Sequence, residues 1–139
     1  MLIVIGFAFK VAAVPFHMWA PDVYEGAPTP VTGFMAVGVK AAAFTALLRL
    51  VVVALADGSA TAPWVEAMRL MAIVTIIGGN LMALAQTSIK RMLAYSSVSH
   101  AGYAMIGVVA AAKGEASAGT ALIFYLTAYT FTTLGALAC

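Results

Sequence analysis

Three ionisable side chains stand inside apolar sequence: Lys10, Lys40 and His100. An ionisable group within a membrane span is costly and is read first as functional. Lys40 lies ten positions beyond Pro30, His100 ten beyond Lys90, and Lys10 eleven before Pro21. At a helical rise of about 1.5 Å per residue, each is about 15 Å from a polar boundary, near the middle of a hydrocarbon core about 30 Å thick. A lysine whose proton affinity is balanced between desolvation and neighbouring groups can take up and release a proton near neutral pH, and a histidine needs little tuning to do so. Lys10, Lys40 and His100, with water between them, therefore form a candidate proton relay. Ser96, one turn before His100, and Ser99, one turn before Tyr103, could orient that water together with the Tyr103 hydroxyl. The alternatives are static lysine–carboxylate pairing and a histidine held by structural hydrogen bonds. Arg49 is placed at the far interface with its charge drawn to water. Asp22 and Glu25 are expected to cap helices or contact other subunits.

The elements that must position these groups follow from the pattern around them. The chain has 139 residues, 64% hydrophobic and 9% charged, with a mean hydropathy of +1.05. A soluble domain carries about 25% charged residues, so this is an all-α polytopic membrane protein in contact with lipid. Five helical segments are expected, at approximately 1–19, 31–56, 65–85, 92–112 and 118–139. Pro15 falls inside the first and predicts a break near Ala13–Pro15, because proline removes a helix hydrogen bond and clashes with the preceding turn. Irregular backbone at membrane depth is tolerated where protein covers it or where it lines a wet cavity, so the break beside Lys10 marks a place for water. Pro21, Gly26, Pro28 and Pro30 predict a turn over Pro21–Pro30. Asp57 to Pro63 reads as a polar loop, and Gly78-Gly79 as a close helix contact. The compact Lys90-Arg91 pair in a short loop favours the cytoplasm for that side.

Several functions are excluded. The net charge of +2 is small and dispersed, which gives no basis for nucleic-acid binding. The single cysteine, Cys139, forms no pair, and neither a phosphate-binding glycine loop nor a His–Cys cluster is present. No secretory signal pattern is visible at the start, and both ends lie in apolar sequence. The chain is expected to be an internal piece of a larger membrane subunit, with no metal or redox cofactor of its own.

Two stretches carry a family resemblance. Lys10 with Val14-Pro15-Phe16-His17, Trp19 and Pro21-Asp22-Val23-Tyr24-Glu25-Gly26-Ala27-Pro28-Thr29-Pro30-Val31-Thr32 is the first, and Ser88-Ile89-Lys90-Arg91-Met92-Leu93-Ala94-Tyr95-Ser96-Ser97-Val98-Ser99-His100-Ala101-Gly102-Tyr103 is the second. Together they resemble the antiporter-like membrane subunits of bacterial proton-pumping NADH–quinone oxidoreductase (complex I). The Asp-Val-Tyr-Glu-Gly-Ala-Pro turn favours the subunit N branch. The core of the second stretch is shared with multisubunit sodium/proton antiporters, which form the alternative reading. The resemblance implies part of a fourteen-helix fold of inverted repeats with a broken seventh helix. Its sites would lie near the midplane at that break. It further implies that Lys10 is the broken-helix lysine, Lys40 the lysine of the following helix, and His100 the relay position after the Lys90-Arg91 loop. The glutamate partner of the first lysine and the far lysine would lie outside this chain. NADH, FMN, iron–sulfur clusters and quinone would be held by partner subunits. The partners would be other membrane subunits of the complex, especially antiporter-like ones, in the bacterial inner membrane.

Overall fold

A computed structural model describes residues 2–55 and 62–138, and every regular element among them is helical. The first segment is two short helices, α1 (Leu2–Lys10) and α2 (Trp19–Gly26), on either side of an irregular stretch. Next comes a long helix, α3 (Thr29–Ala54), with one π-helical turn at Met35–Val39 and another at Leu50–Ala54. The remaining helices are α4 (Pro63–Leu84), α5 (Ile89–Ala112) and α6 (Ala118–Ala138). By length and composition α3, α4 and α6 are apolar enough to cross a membrane. The expected loop residues Asp57 to Thr61, and Cys139, lie outside the described residues.

Three boundaries differ from the sequence expectation. The helix stops at Lys10, before the expected break at Ala13–Pro15. Ala12 adopts a left-handed φ of 60°, and the Ala13 N–H donates to Ala8 O at 2.8 Å while the Ala12 N–H donates to Phe9 O at 3.1 Å. This is the Schellman termination, with Ala12 where glycine is usual. The helix therefore ends by its own capping, before the proline is reached. Pro15 itself is exposed and follows a cis Val14–Pro15 peptide. Secondly, Pro21–Pro30 is mostly helix. Pro21 stands in the first turn of α2 and Pro30 in that of α3, where the missing N–H would have had no intrahelical partner. Only Ala27-Pro28 form the connection. Thirdly, α5 begins at Ile89, so Lys90 and Arg91 lie in its first turn.

The irregular stretch is fastened from outside. The Val14 N–H donates to the fully buried Thr75 Oγ1 on α4 at 3.0 Å. The Trp19 indole N–H donates to Phe9 O at 3.1 Å. Both bonds supply partners that the interrupted helix cannot. The main core joins Phe44, Leu47 and Val51 of α3, Val65, Met68 and Ala72 of α4, Ala101, Ala104 and Val108 of α5, and Leu122 of α6. Helix α5 lies at its centre and packs against α2, α3, α4 and α6. It holds small residues on the face towards α4. A Cβ built on Gly79 would lie 2.8 Å from Ser99 N, and one on Gly102 would lie 3.0 Å from Ala72 O. The expected small-residue contact is thus made by Gly79, whereas Gly78 faces Val14. Such close backbone approach is how helices associate when lipid removes any hydrophobic drive.

Candidate functional site

Lys40 follows directly on the π-helical turn Met35–Val39. A π-turn inserts an extra residue into the helical register, and such turns occur frequently at functional sites. The turn aims Lys40 inward, where it is 4% exposed. Its ammonium donates to Ser97 of α5 at two atoms, the backbone oxygen and, at 2.5 Å, the hydroxyl oxygen. The Tyr129 hydroxyl of α6 donates to the same Ser97 Oγ at 3.0 Å. Buried Tyr24 of α2 is also within side-chain hydrogen-bonding reach of Ser97. Four helices therefore converge on one serine. Among the described residues no carboxylate is paired with Lys40.

His100 lies one turn beyond Ser97 on α5. Its Nδ1 is 2.6 Å from the Tyr125 hydroxyl of α6. Its ring has three tyrosine neighbours, with centroids of Tyr129 at 4.7 Å, Tyr103 at 6.0 Å and Tyr125 at 6.1 Å. Tyr129 thus touches both Ser97 and His100, and the Lys40 and His100 environments are contiguous.

Lys10 ends α1 and is exposed among the described residues. It lines a cavity of about 320 Å³ together with Phe9, Trp19, Tyr24, Met35 and Val39. That cavity runs from the helix break to the residue before Lys40. Tyr24, on its wall, is the residue that reaches Ser97.

Not every expected residue joins this group. Ser99 is buried against Gly79, on the α4 side of α5, and its hydroxyl is 3.4 Å from Tyr95 O. Ser96 is half-buried. Tyr103 is half-exposed beside His100. Ser97, Tyr129 and Tyr24 were not foreseen from sequence. The signal for them was present as hydroxyls one turn from His100 and a tyrosine ladder in α6, but helical spacing alone does not say which hydroxyl faces Lys40. His17, in the irregular stretch, was also passed over. It is buried beside the Tyr95 ring, and its Nδ1 has no hydrogen-bond partner among the described residues.

Asp22 and Glu25 are joined to a residue of this chain. Arg91 of α5 bonds Asp22 Oδ1 at 2.9 Å and Glu25 Oε2 at 2.9 Å. The Lys90 ammonium donates to Ala27 O at 3.3 Å. These contacts lie at the polar end of α2 and fix its distance from α5, and with it the position of Tyr24. No cluster of histidine, cysteine and carboxylate side chains among the described residues could hold a metal ion.

This arrangement defines an all-helical, multi-pass membrane protein with a broken helix and an unpaired buried cation at its centre. The chain belongs to the family described as "NADH:quinone oxidoreductase/Mrp antiporter, TM", which matches residues 1–139. It is 53% identical to NADH-quinone oxidoreductase subunit N 1 of Sorangium cellulosum, over 97% of this chain and 27% of that protein. It is 50% identical to NAD(P)H-quinone oxidoreductase subunit 2 of Rippkaea orientalis, over 100% of this chain and 26% of that protein. A chain of respiratory complex I from Thermus thermophilus superposes with a TM-score of 0.79 at 46% identity, covering 97% of this chain and 28% of that one. The chain therefore spans about a quarter of the length of these relatives.

Proposed function

We propose that this chain forms the middle of the proton path in a proton-translocating membrane-arm subunit of a respiratory NADH–quinone oxidoreductase in the bacterial inner membrane. Lys10, Lys40 and His100 carry the proton, and the break ending at Pro15 admits water to Lys10. The observation that carries this reading is Lys40, buried, unpaired with any acid among the described residues, and hydrogen-bonded to Ser97 beside the His100 cluster. A buried ammonium that is only structural is normally paired with a carboxylate, because desolvation otherwise opposes it. Hydroxyl and carbonyl partners instead leave the proton exchangeable.

The redox chemistry belongs to partner subunits, which hold NADH, FMN, iron–sulfur clusters and quinone. This subunit would respond to quinone reduction through electrostatics along its ionisable groups and through contacts with neighbouring antiporter-like subunits. The family description also names an antiporter, so a subunit of a cation/proton antiporter is the second reading. The relatives named as NADH-quinone oxidoreductase subunits favour the first.

The test is Lys10→Ala and Lys40→Ala in the complete subunit within the assembled oxidoreductase, reconstituted in liposomes. Protons translocated per NADH oxidised are expected to fall in both, with NADH–ferricyanide activity unchanged. Wild-type pumping in both variants would sink these roles. Cation/proton exchange without NADH, lost on Lys40→Ala, would favour the antiporter reading.

A further inference from the structure

The relay residues leave one step unspecified, the passage between Lys40 on α3 and His100 on α5. We propose that Ser97 and Tyr129 form a hydroxyl bridge that hands the proton from Lys40 to His100. This rests on the function proposed above and identifies the groups that carry one step of it.

Hydrogen bonds run from Lys40 through Ser97 to Tyr129, and the Tyr129 ring lies against that of His100. Lys40 Nζ is 2.5 Å from Ser97 Oγ. Ser97 Oγ is 3.0 Å from the Tyr129 hydroxyl, and the Tyr129 ring is 4.7 Å from the His100 ring. Ser97 and Tyr129 are both buried, so their hydroxyls find their partners inside the protein, in each other and in Tyr24 and Thr133. The flanking α5 side chains Ala94, Val98 and Ala101 are buried and apolar. In the tautomer whose Nδ1–H donates to the Tyr125 oxygen, Nε2 is the nitrogen free to receive the proton.

The step balances as an exchange of O–H and N–H bonds. An N–H bond of the Lys40 ammonium breaks as its proton bonds to Ser97 Oγ. Both hydroxyls first turn, so that Ser97 donates to Tyr129 in place of the reverse bond seen at rest; the original Ser97 proton then moves to the Tyr129 oxygen, and the Tyr129 proton leaves through a water molecule to the unprotonated ring nitrogen of His100. Water is neither consumed nor formed. Lys40 ends neutral and His100 cationic. Each hydroxyl gains one proton and loses one, so neither a serine alkoxide nor a tyrosine cation is required. Rotation of the two hydroxyls then restores the starting arrangement. Serine and tyrosine hydroxyls both donate and accept, which an alanine or a phenylalanine cannot do.

The decisive variants are Tyr129→Phe and Ser97→Ala in the complete subunit of the assembled oxidoreductase in liposomes. Tyr129→Phe keeps the ring beside His100 and removes only the hydroxyl. Ser97→Ala keeps the backbone oxygen, one of the two atoms that hold the Lys40 ammonium, and Tyr129→Phe, which leaves both in place, separates the bridge from the anchoring. Both are expected to lower protons moved per NADH by the same factor as Lys40→Ala, with NADH–ferricyanide activity as the measure of assembled complex. Thr127→Val, which removes an exposed α6 hydroxyl bonded to Ile123 O, is expected to pump as wild type. Wild-type pumping by Tyr129→Phe or by Ser97→Ala, while Lys40→Ala is impaired, overturns the bridge and leaves the wider function standing. If Tyr129→Phe does not assemble, Ser97→Ala decides alone. Wild-type pumping by Lys40→Ala overturns the wider function, and the bridge with it.

Discussion

At the residue scale the most instructive position is Ala12, whose left-handed φ of 60° closes α1 two residues after Lys10. A left-handed alanine costs about 1 kcal/mol relative to glycine. Its methyl is nevertheless buried against Ala20 and Val98, which returns about the same amount. Replacement by glycine is therefore expected to leave the thermal midpoint of the detergent-purified subunit within a degree or two. Ala12→Val puts a β-branched side chain into the same conformation and is expected to destabilise by about 2 kcal/mol or more. An equal drop for both variants would contradict the balance. Thr75 acts through the acceptor it gives Val14 N–H at 3.0 Å. Thr75→Val is nearly isosteric but removes that acceptor, and is expected to cost about 1–3 kcal/mol, again read as a lowered thermal midpoint. A Thr75→Ser variant, which retains the oxygen, should lose less than Thr75→Val.

Among the elements, α5 organises the molecule because its faces differ in chemistry. Gly102 and Ser99 approach α4, Ser97 and His100 meet the tyrosines of α6, and Lys90 and Arg91 hold the end of α2. The α4–α5 contact is intolerant of bulk, since a Cβ on Gly102 would lie 3.0 Å from Ala72 O, a backbone atom that does not move independently. Gly102→Val is expected to lower assembled complex in membranes at least several-fold, measured as NADH–ferricyanide activity. An outcome equal to wild type would mean the helices are further apart than described. The α2 latch makes a pH prediction. Hydrogen bonds from Arg91 and then Ser88 hold the Glu25 carboxyl, at the aqueous end of α2, below its ordinary value of 4.5. A carboxyl with a lowered folded-state value stabilises above its unfolded value and loses that contribution as pH falls through the folded one. The Arg91–Glu25 pair should therefore contribute in full at neutral pH and lose that contribution progressively as pH falls below the ordinary value of 4.5. Glu25→Gln is expected to abolish the difference in thermal midpoint between pH 7 and pH 4 that the wild type owes to this pair. An unchanged difference would show that the latch does not titrate there.

On the scale of the whole molecule, the exposed apolar surface is as informative as the core. Phe124 and Phe131 of α6 are 76% and 74% exposed, and Leu70, Ile73 and Ile77 form a similar outward row on α4. Such faces are suited to contact with lipid or with further apolar helices. Lys40, Tyr24 and Tyr129 instead turn inward, to the junction of α2, α3, α5 and α6 at Ser97. The apolar rows predict that the chain, expressed in a bacterial membrane, stays in the pellet after alkaline carbonate washing and is released by detergent. Release by carbonate alone would refute multi-pass insertion.

Much of this was legible in the sequence because it follows from local chemistry. Sparse charge and long apolar runs dictate helices in a bilayer, since no other open backbone arrangement satisfies its hydrogen bonds there. Helical rise, about 1.5 Å per residue, is what makes a common level for Lys40 and His100 an expectation of the sequence. The two motif stretches carried the family, which the match over residues 1–139 then established. Tertiary structure decided what periodicity cannot. A π-turn re-aims Lys40 at Ser97, and spacing alone had pointed to Ser96, Ser99 and Tyr103. Capping hydrogen bonds end α1 at Lys10, ahead of the proline that drew attention to the break. Arg91 closes on Asp22 and Glu25 across about 70 positions of chain, a long-range pairing with no local signature. Depth along a helix is a property of the sequence, whereas the direction a side chain faces is settled only when the other helices arrive.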